Sequence, residues 1–363
     1  MQRREFIQNM LAVGIPVFFS KSILASENFK AIDEEQNLTA WKNILEYARW
    51  SPSVHNIQPW QVKIENDGNA KVYCDTTKFL TIADPKAAFS YITMSVFVEC
   101  IRIAADNENY ACSINYHQPV KEKDLQLFAD IKLNKASTTP LFNKELLKQR
   151  KTSRIAYSGK CMTNETKEQL QKVCTDFEIQ FGHSAEEKKV ENILLLNRDT
   201  LFNDADNEKY RGEIERWIRT TDEEAHKTKD GLWNYCMGFP GKLMHNFFYK
   251  HQRYTSDWKR KIIGRNYLHS MKGTKDIIWF SGSFENFTDW INCGKFLLQF
   301  WLTLTKNKLV MHPFGSLITN QNAYAQLPAL LSHNNTLWFV ARVGQSDDAP
   351  RSLRKDLETI LIN

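Results

Sequence analysis

Two stretches of the sequence gather side chains that could bind a small charged molecule. The first, residues 51–60, places Ser53, His55, Asn56 and Gln58 between two prolines. Each proline removes an amide donor and restricts the residue before it, so a rigid turn is expected here. Short polar side chains on a stiff corner between a helix and a strand suit the capture of a small polar ligand. The same residues would also make a well-formed turn that binds nothing.

The second stretch is basic. Arg150, Lys151, Thr152 and Arg154 lie within five residues of one another. A guanidinium presents paired N–H donors that match the oxygens of a phosphate dianion, and a hydroxyl adds another donor. The pattern therefore indicates a phosphate site. If the motif stood alone, a solvated basic turn would be favoured.

The composition predicts a folded protein with a large core and without a metal site. The chain has 363 residues, of which 42% are hydrophobic and 12% aromatic, so it can hold one large domain or two of ordinary size. Its seven cysteines are scattered and contain no Cys-x-x-Cys pair. That arrangement argues against a zinc site and against a disulfide framework.

Several enzyme classes lack their signatures in this sequence. It contains no His-Glu-x-x-His, no Walker loop, no Gly-x-Gly-x-x-Gly and no Gly-x-Ser-x-Gly, so metalloprotease, P-loop, dinucleotide-fold and serine-hydrolase readings have no support. His55, His245, His251 and His312 are candidate proton donors, but each is equally a candidate structural residue. No catalytic acid or base is therefore assigned.

The first 26 residues resemble a twin-arginine export signal. Arg3 and Arg4 precede Phe6 and the apolar run Met10–Phe19, an order typical of this signal. The run is too short to span a bilayer as an ordinary helix. We predict recognition by the twin-arginine translocase and a periplasmic or membrane-associated location, and we exclude residues 1–26 from the fold. An amphipathic first helix is the alternative.

Periodic segments on either side must position the two stretches. A helix leads into the turn with one apolar face, and the alternating strand that begins at Trp60 returns through Asp67-Gly68 into Lys71–Asp75. Ala87–Ala105 is almost wholly apolar, which predicts a helix buried on all sides. Strands are predicted at Ala111–Tyr116 and Leu337–Val343. Residues 121–150 are polar and charged, so we place a junction there.

Most of the net charge of +6 lies in one segment. Residues 242–275 hold nine Lys or Arg and one acid, Asp257, so the rest of the chain carries −2. Aromatic residues are interleaved with these cations, a mixture that single-stranded nucleic acid also exploits. A solvated helix face is the plainer interpretation. We expect no nucleic-acid partner and favour a lid over a bound ligand.

The turn resembles the signature of the nitroreductase family. Residues 49–60 read Arg-Trp-Ser-Pro-Ser-Val-His-Asn-Ile-Gln-Pro-Trp, where the family has Ala-Pro-Ser-x-x-Asn-x-Gln-Pro-Trp. In that family the loop contacts FMN at a subunit interface, and the phosphate-binding residues come from the other subunit. The resemblance implies that Pro52, Ser53, Val54 and Asn56 contact FMN.

The basic stretch is similar to the opening motif of the same family, Arg-x-Ser-x-Arg-x-Phe. Thr152 stands in the place of the serine. The resemblance implies that Arg150, Lys151, Thr152 and Arg154 bind FMN, with the phosphate held by the guanidiniums and the hydroxyl.

Two later segments resemble other parts of that FMN site. Residues 309–315 are similar to the loop whose backbone amides approach the flavin ring near N5, which implies contacts from Phe314 and Gly315. Arg351 and Arg354 resemble the basic residues that complete the phosphate site. We expect this pair to open a terminal helix, with a cap at the serine between them.

The resemblance implies an internal duplication, as in the Acg-like branch of the family. Residues 33–135 would form one nitroreductase-like half, and residues 140–363 a second half with a lid-like insertion at about 205–275. The implied fold is α+β, a three-layer α/β/α sandwich duplicated as an intrachain pseudo-dimer. Because each half holds what the other lacks, one complete FMN site per chain and a monomer are expected.

The function implied is that of an FMN-dependent oxidoreductase. It would pass electrons from NAD(P)H, or from another donor, through FMN to a small organic acceptor. The alternative is a non-catalytic flavin-binding or flavin-sequestering protein whose insertion blocks the nicotinamide. A flavin-free structural relative would instead need partners inside the protein for its phosphate-site arginines.

Overall fold

The computed structural model describes residues 34–65, 68–119 and 124–362. The predicted export signal, residues 1–26, lies outside these ranges and stays a prediction. Asp67 of the predicted hairpin turn is outside them as well. Its neighbour Gly68 has a φ of 86°, a left-handed conformation that glycine adopts without strain.

Helices and strands are interspersed along the chain, which confirms the predicted α+β class. The helices are α1 (Glu34–Ala48), α2 (Ala88–Asn107), α3 (Glu145–Gln149), α4 (Asn164–Asp176), α5 (Glu187–Asp206), α6 (Glu208–Glu215), α7 (Asp222–Thr228), α8 (Asn234–Met237), α9 (Gly241–Tyr249), α10 (Asp257–Ser270), α11 (Phe287–Lys306), α12 (Gly315–Thr319), α13 (Gln321–Tyr324), α14 (Leu327–Leu331) and α15 (Leu357–Ile360). The strands are β1 (Trp60–Ile64), β2 (Asn69–Asp75), β3 (Tyr110–Tyr116), β4 (Leu125–Lys135), β5 (Gln180–Ser184), β6 (Ile218–Arg219), β7 (Leu232–Trp233), β8 (Asp276–Ser281), β9 (Val310–Pro313), β10 (Leu337–Gly344) and β11 (Leu361–Ile362).

The strands form two main sheets. One has the order β11-β1-β2-β4-β3 and the other β5-β8-β10-β9, while β6 and β7 make a separate parallel pair. Neighbours in the main sheets are antiparallel except β11, which runs parallel to β1 with Leu361 opposite Val62. The end of the chain therefore completes the sheet that its first strands begin.

Helices α2 and α11 cross at a glycine. A Cβ on Gly294 would lie 2.5 Å from the Cβ of Ser95, so the two helices come too close for any side chain there. The Ser95 hydroxyl donates to the carbonyl oxygen of Ile291 over 2.6 Å. The side-chain amide of Gln299 donates to Glu99 over 2.8 Å. These buried bonds set the register of one helix against the other.

One continuous apolar core joins the two sheets through these helices. Trp60 and Val72 of the five-stranded sheet share it with Phe280 and Trp338 of the four-stranded sheet. The other face of the four-stranded sheet packs on a second cluster from α5, α12, α13 and α14, so that sheet lies between two helical layers. The five-stranded sheet turns half-exposed side chains such as Lys71 outward.

The strongest periodic patterns are confirmed. Helix α1 buries Trp41, Ile44, Leu45 and Ala48, and both Ala111–Tyr116 and Leu337–Val343 are strands. Among the described residues, α2 is the helix long and apolar enough to cross a membrane, but 89% of its apolar window is buried inside the structure. It is a core helix, as predicted.

Two expectations are wrong. Residues 121–150 do not form a polar junction throughout, because β4 lies inside that region as a central strand. Its alternation buries Ile131 and Leu133 on one face and presents polar residues on the other, and Phe128 joins the core at an irregularity in the pairing with β2. Its polar average therefore hid a strand. The terminal helix begins at Leu357 and not at Arg351, and Ser352 does not cap it.

Residues 205–275, the predicted insertion, are anchored on the polar-turn side of the molecule. Trp217 packs against Ile57 in a small apolar cluster. The Glu213 carboxylate accepts hydrogen bonds from the amides of Ile82 and Ala83 over 2.8 and 2.9 Å. The segment is therefore a packed part of the structure.

Two glycine substitutions test the helix crossing. Gly294→Ala should lower the free energy of unfolding by about 1–3 kcal/mol, since the added methyl group overpacks the contact with Ser95. Gly212→Ala in α6 is the matched control: its Cβ would meet nothing within 4 Å, so the substitution should be neutral or stabilising. Urea unfolding measures both, and equal midpoints for the two variants would contradict the crossing.

Candidate functional site

A cavity of about 400 Å³ is lined by the polar turn, α2, α11, β10 and the insertion. A volume of this size is typical of sites for cofactors and small molecules. All the FMN-binding residues predicted from the sequence line it: Pro52, Ser53, Val54, Asn56, Arg150, Lys151, Thr152, Arg154, Phe314, Gly315, Arg351 and Arg354. The tertiary structure thus brings four separate segments to one place.

The polar turn has a strained backbone. His55, Asn56 and Gln58 have φ angles of 47°, 56° and 48°, and each such non-glycine residue costs of order 1–3 kcal/mol. The backbone amide of Gln58 donates to Ser53 Oγ over 3.2 Å, which closes the turn on itself. Strain of this kind is concentrated at functional sites.

Two other segments hold the strained turn in place. Gln58 donates through its side-chain amide to the carbonyl oxygen of Lys229 over 2.8 Å, and its Oε1 accepts from the Lys355 amide over 2.9 Å. Arg354 donates to Asn56 Oδ1 over 2.9 Å and to the Ser51 carbonyl oxygen over 3.2 Å. The turn therefore depends on both the insertion and the C-terminal segment.

Three arginines gather beside this turn without an acidic partner. Arg150, Arg351 and Arg354 form no ion pair with any described residue. They contact aromatic rings: the guanidinium of Arg351 lies 3.6 Å from the ring centroid of Trp50, and that of Arg150 lies 4.5 Å from that of Trp301. We call these three residues the arginine cluster.

Burial makes the arginine cluster electrostatically unfavourable. Loss of solvation lowers the pKa of Arg150 to about 10, with the charge of Arg351 adding to the effect. Burial likewise lowers the pKa of Arg354 to about 9, helped by Arg150 and Arg351. Like charges that are buried together call for an anion, because an uncompensated buried charge is strongly destabilising.

One donor in the cluster has no acceptor. Nη2 of Arg351 is buried and makes no hydrogen bond. Buried N–H groups are almost always satisfied, and a guanidinium N–H binds phosphate oxygens well. The chemistry of the cluster therefore fits a phosphate group.

Arg154 shares one neighbour with the arginine cluster and has others of its own. Its charge acts on Cys236, as does that of Arg354, and also on His55, His312 and Arg342. The sequence treated Arg150 and Arg154 as one phosphate-binding loop. The structure brings both to the cavity, and the residues between them run beside β9, with the Ser153 amide donating to the Met311 carbonyl oxygen over 3.2 Å.

Arg342 fixes the tautomer of His312. Its Nε donates to His312 Nδ1 over 3.3 Å, so a neutral His312 carries its proton on Nε2. The pKa of His312 lies well below its usual value because the ring is buried and close to Arg342 and Arg154. Fully buried Arg342 also donates to the Ile155 carbonyl oxygen over 2.9 Å, which ties the basic stretch to β10.

In the loop after β9, one backbone amide is already hydrogen-bonded and one glycine lies beside open space. The Phe314 amide donates to the Val340 carbonyl oxygen over 2.8 Å, so it is not available to a ligand. A Cβ on Gly315 would meet no atom within 4 Å, which leaves open space beside this backbone. Lys151, another predicted ligand residue, pairs with Asp348.

Sequence reasoning missed several residues that shape this site. Trp50, Trp301 and Arg342 were not predicted, and neither was Cys236, which lines the cavity from the insertion. Arg342 carried the one signal that could have been found: it is a lone charge inside the apolar strand Leu337–Gly344. A charge at such a position is tolerated only with a full set of partners.

Comparison with known proteins gives matches among solved structures alone. No protein-family model matches the sequence, and a search of the curated proteins finds no match either. The FMN-dependent nitroreductase NfnB from Mycobacterium smegmatis, solved in complex with NADPH, is 14% identical, with a TM-score of 0.34, and the match covers 60% of this chain and 95% of that one.

Two further structures are similar at the same low level of identity. A nitroreductase with bound FMN from Bacteroides fragilis is 13% identical, with a TM-score of 0.32 and coverage of 59% and 92% of the two chains. A protein from Anabaena variabilis described as a nitroreductase is 8% identical, with a TM-score of 0.45. That match covers 88% of this chain and 92% of the other.

The lowered pKa of His55 predicts a loss of stability in acid. Burial and the charge of Arg154 lower this pKa to about 4, against about 6.5 for an unfolded chain. The unfolded state therefore binds more protons between these values, and stability should fall as the pH falls from 6.5 towards 4. The His55 contribution to that loss is up to about 3 kcal/mol.

His55→Asn separates this titration from the backbone strain, since asparagine tolerates the left-handed conformation. Urea unfolding at several pH values between 4 and 7 should show a shallower dependence in the variant. Some dependence of stability on pH should remain, because the pKa of His312 is lowered as well. An identical slope in both proteins would remove His55 from the explanation.

Proposed function

We propose that the protein is an FMN-dependent oxidoreductase of the nitroreductase type. The observation that carries the proposal is the arginine cluster: three buried guanidiniums without acidic partners, next to a strained polar turn, in a cavity of cofactor size. The cluster would hold the FMN phosphate. Charge-assisted hydrogen bonds from Arg150, Arg351 and Arg354 would then replace the solvation that burial removes.

The remainder of the cavity suits a flat, apolar ring system. Trp338 and Phe314 line it together with Ile92 of α2 and Leu297 of α11. Open space beside Gly315 allows close approach to the backbone there. These residues would bind and orient the isoalloxazine ring and exclude water from it.

Bound FMN would supply the two-electron chemistry, from NAD(P)H or another donor to a small organic acceptor. The chain itself contributes a held proton and a positive field. His312 carries a proton on Nε2 at the cavity wall, since its Nδ1 accepts from Arg342. Arg154, whose pKa is lowered by burial, adds positive charge near the same wall.

A second function is favoured by the position of the insertion. Tyr210, Trp233, Phe247 and Tyr267 line the cavity from that segment, so it covers the site from one side. If this wall keeps nicotinamide out of the cavity, the protein would bind flavin without catalysing its reduction. The two functions differ in whether NAD(P)H can reduce the bound flavin: it can if the segment is a movable lid, and it cannot if the segment blocks the site.

Anaerobic absorption spectra before and after NADPH addition test both functions. An oxidoreductase should purify with a flavin spectrum or acquire one with FMN, and NADPH should bleach it. A retained flavin that dithionite bleaches and NADPH does not would support sequestration. Failure of the protein to bind FMN at all would reject both.

Arg351→Ala tests the phosphate site. Loss of charged hydrogen bonds to a phosphate should cost about 1.5–3 kcal/mol, which is roughly a ten- to hundredfold weaker affinity for FMN. Arg253→Ala is the control, because this exposed guanidinium lies in no ion pair with a described residue. The readout is flavin fluorescence on titration with FMN. The same titration measures how many FMN molecules bind, and the proposed duplication predicts one FMN per monomeric chain. Equal affinity in both variants would place the phosphate elsewhere.

A further inference from the structure

Helix α10 exposes a stripe of mixed apolar and basic side chains. Trp258 is 63% exposed and Ile262 is 50% exposed, although residues of both types are usually buried. They lie four residues apart and therefore on the same side of the helix. Exposed Lys261 and Arg265 continue that side. We call these four residues the α10 stripe.

The surroundings of the stripe are strongly positive. Residues 242–275 contain nine Lys or Arg and a single acid. Most of these cations are exposed and form no ion pair within the part of the chain that the structure describes: Lys242, Lys250, Arg253, Lys261, Arg265, Lys272 and Lys275. Arg260 is the cation of this segment that pairs with an acid, Asp206, among the described residues.

The opposite side of α10 packs inside the protein and faces the cavity. Ile263 is buried and lines the cavity together with Tyr267 and with Met271, which directly follows the helix. The helix thus separates the cavity from the surface that carries the stripe. The chain leaves at least half of each of its outward apolar side chains, Trp258 and Ile262, uncovered.

We infer that the α10 stripe docks on an anionic phospholipid bilayer. Exposed Trp and Ile among Lys and Arg supply the two contributions on which interfacial binding depends, apolar area that can be buried and attraction to anionic lipids. The indole ring prefers the headgroup region, and each cation near an anionic leaflet adds attraction. A docked α10 would place the outer wall of the cavity against the lipid headgroups.

The observations favour a membrane over other partners. A two-fold dimer through this surface would bring two segments of charge +8 together, which is repulsive. Single-stranded nucleic acid needs several exposed rings for stacking. Here Phe247 is buried, and Phe248, Tyr254 and Tyr267 are partly buried. Tyr249 is 46% exposed, but its ring stacks on His245 and its hydroxyl donates to the Glu215 carbonyl oxygen. The partner of Trp258 on the stripe is the aliphatic Ile262.

Sedimentation with vesicles tests this inference on the full chain, with or without flavin, so its outcome is independent of the proposed function. Binding should require phosphatidylglycerol in phosphatidylcholine vesicles and should weaken as salt rises, because exposed charges are screened. The double variants Trp258→Ser/Ile262→Ser and Lys261→Gln/Arg265→Gln should each bind about tenfold or more weakly.

Matched controls come from elsewhere on the surface. Leu141→Ser removes another apolar side chain, 64% exposed, and Lys306→Gln/Lys308→Gln removes two exposed cations of α11 and the residues after it. Both should bind vesicles like the original protein. The inference would be overturned if the stripe variants bound vesicles as tightly as the original protein, or if the protein bound pure phosphatidylcholine. Binding of single-stranded RNA or self-association in place of vesicle binding would overturn it as well.

Discussion

Buried positive charge without an acidic partner is the constraint on which this site depends. Loss of solvation lowers the pKa of Arg150, Arg351 and Arg354. The charge of Arg351 lowers the pKa of the other two further, and that of Arg49 acts on Arg351. The free-energy cost of such an arrangement is several kcal/mol per ion unless a counter-charge is present. The aromatic rings of Trp50 and Trp301 reduce that cost through cation–π contact. A bound phosphate would remove most of the rest.

The same arginines also hold the backbone of the site. Arg354 donates to Asn56 and to the carbonyl oxygen of Ser51, so a residue late in the chain maintains the strained turn near its beginning. On the other wall, Arg342 fixes His312 and the basic stretch together. Charge and geometry are therefore coupled, because a substitution that removes a guanidinium also releases a segment of backbone. Arg351 is the exception, since its Nη2 is bound to nothing.

The crossing of α2 and α11 sets the distance between the two sides of the cavity. The close contact at Gly294 and Ser95 allows one core to serve both sheets. The insertion then adds a third wall, and α10 presents one side to the cavity and another to solvent. Binding of a ligand inside and of a membrane outside would thus act on opposite sides of a single helix.

Local pattern was sufficient wherever one periodicity dominated. The apolar face of α1, the buried helix α2 and the apolar strand β10 follow from spacing alone, and the twelve candidate ligand residues were found from short motifs. What the sequence could not provide was relative position. It missed β4 because alternation lowered its mean hydropathy, and it gave no sign that Arg342, far along the chain, holds the basic stretch in place. Only the tertiary structure shows this, since β9 and Arg342 are the partners that fix the backbone of the basic stretch beside the cavity. Neighbouring residues share a site only where the packing of distant strands allows it.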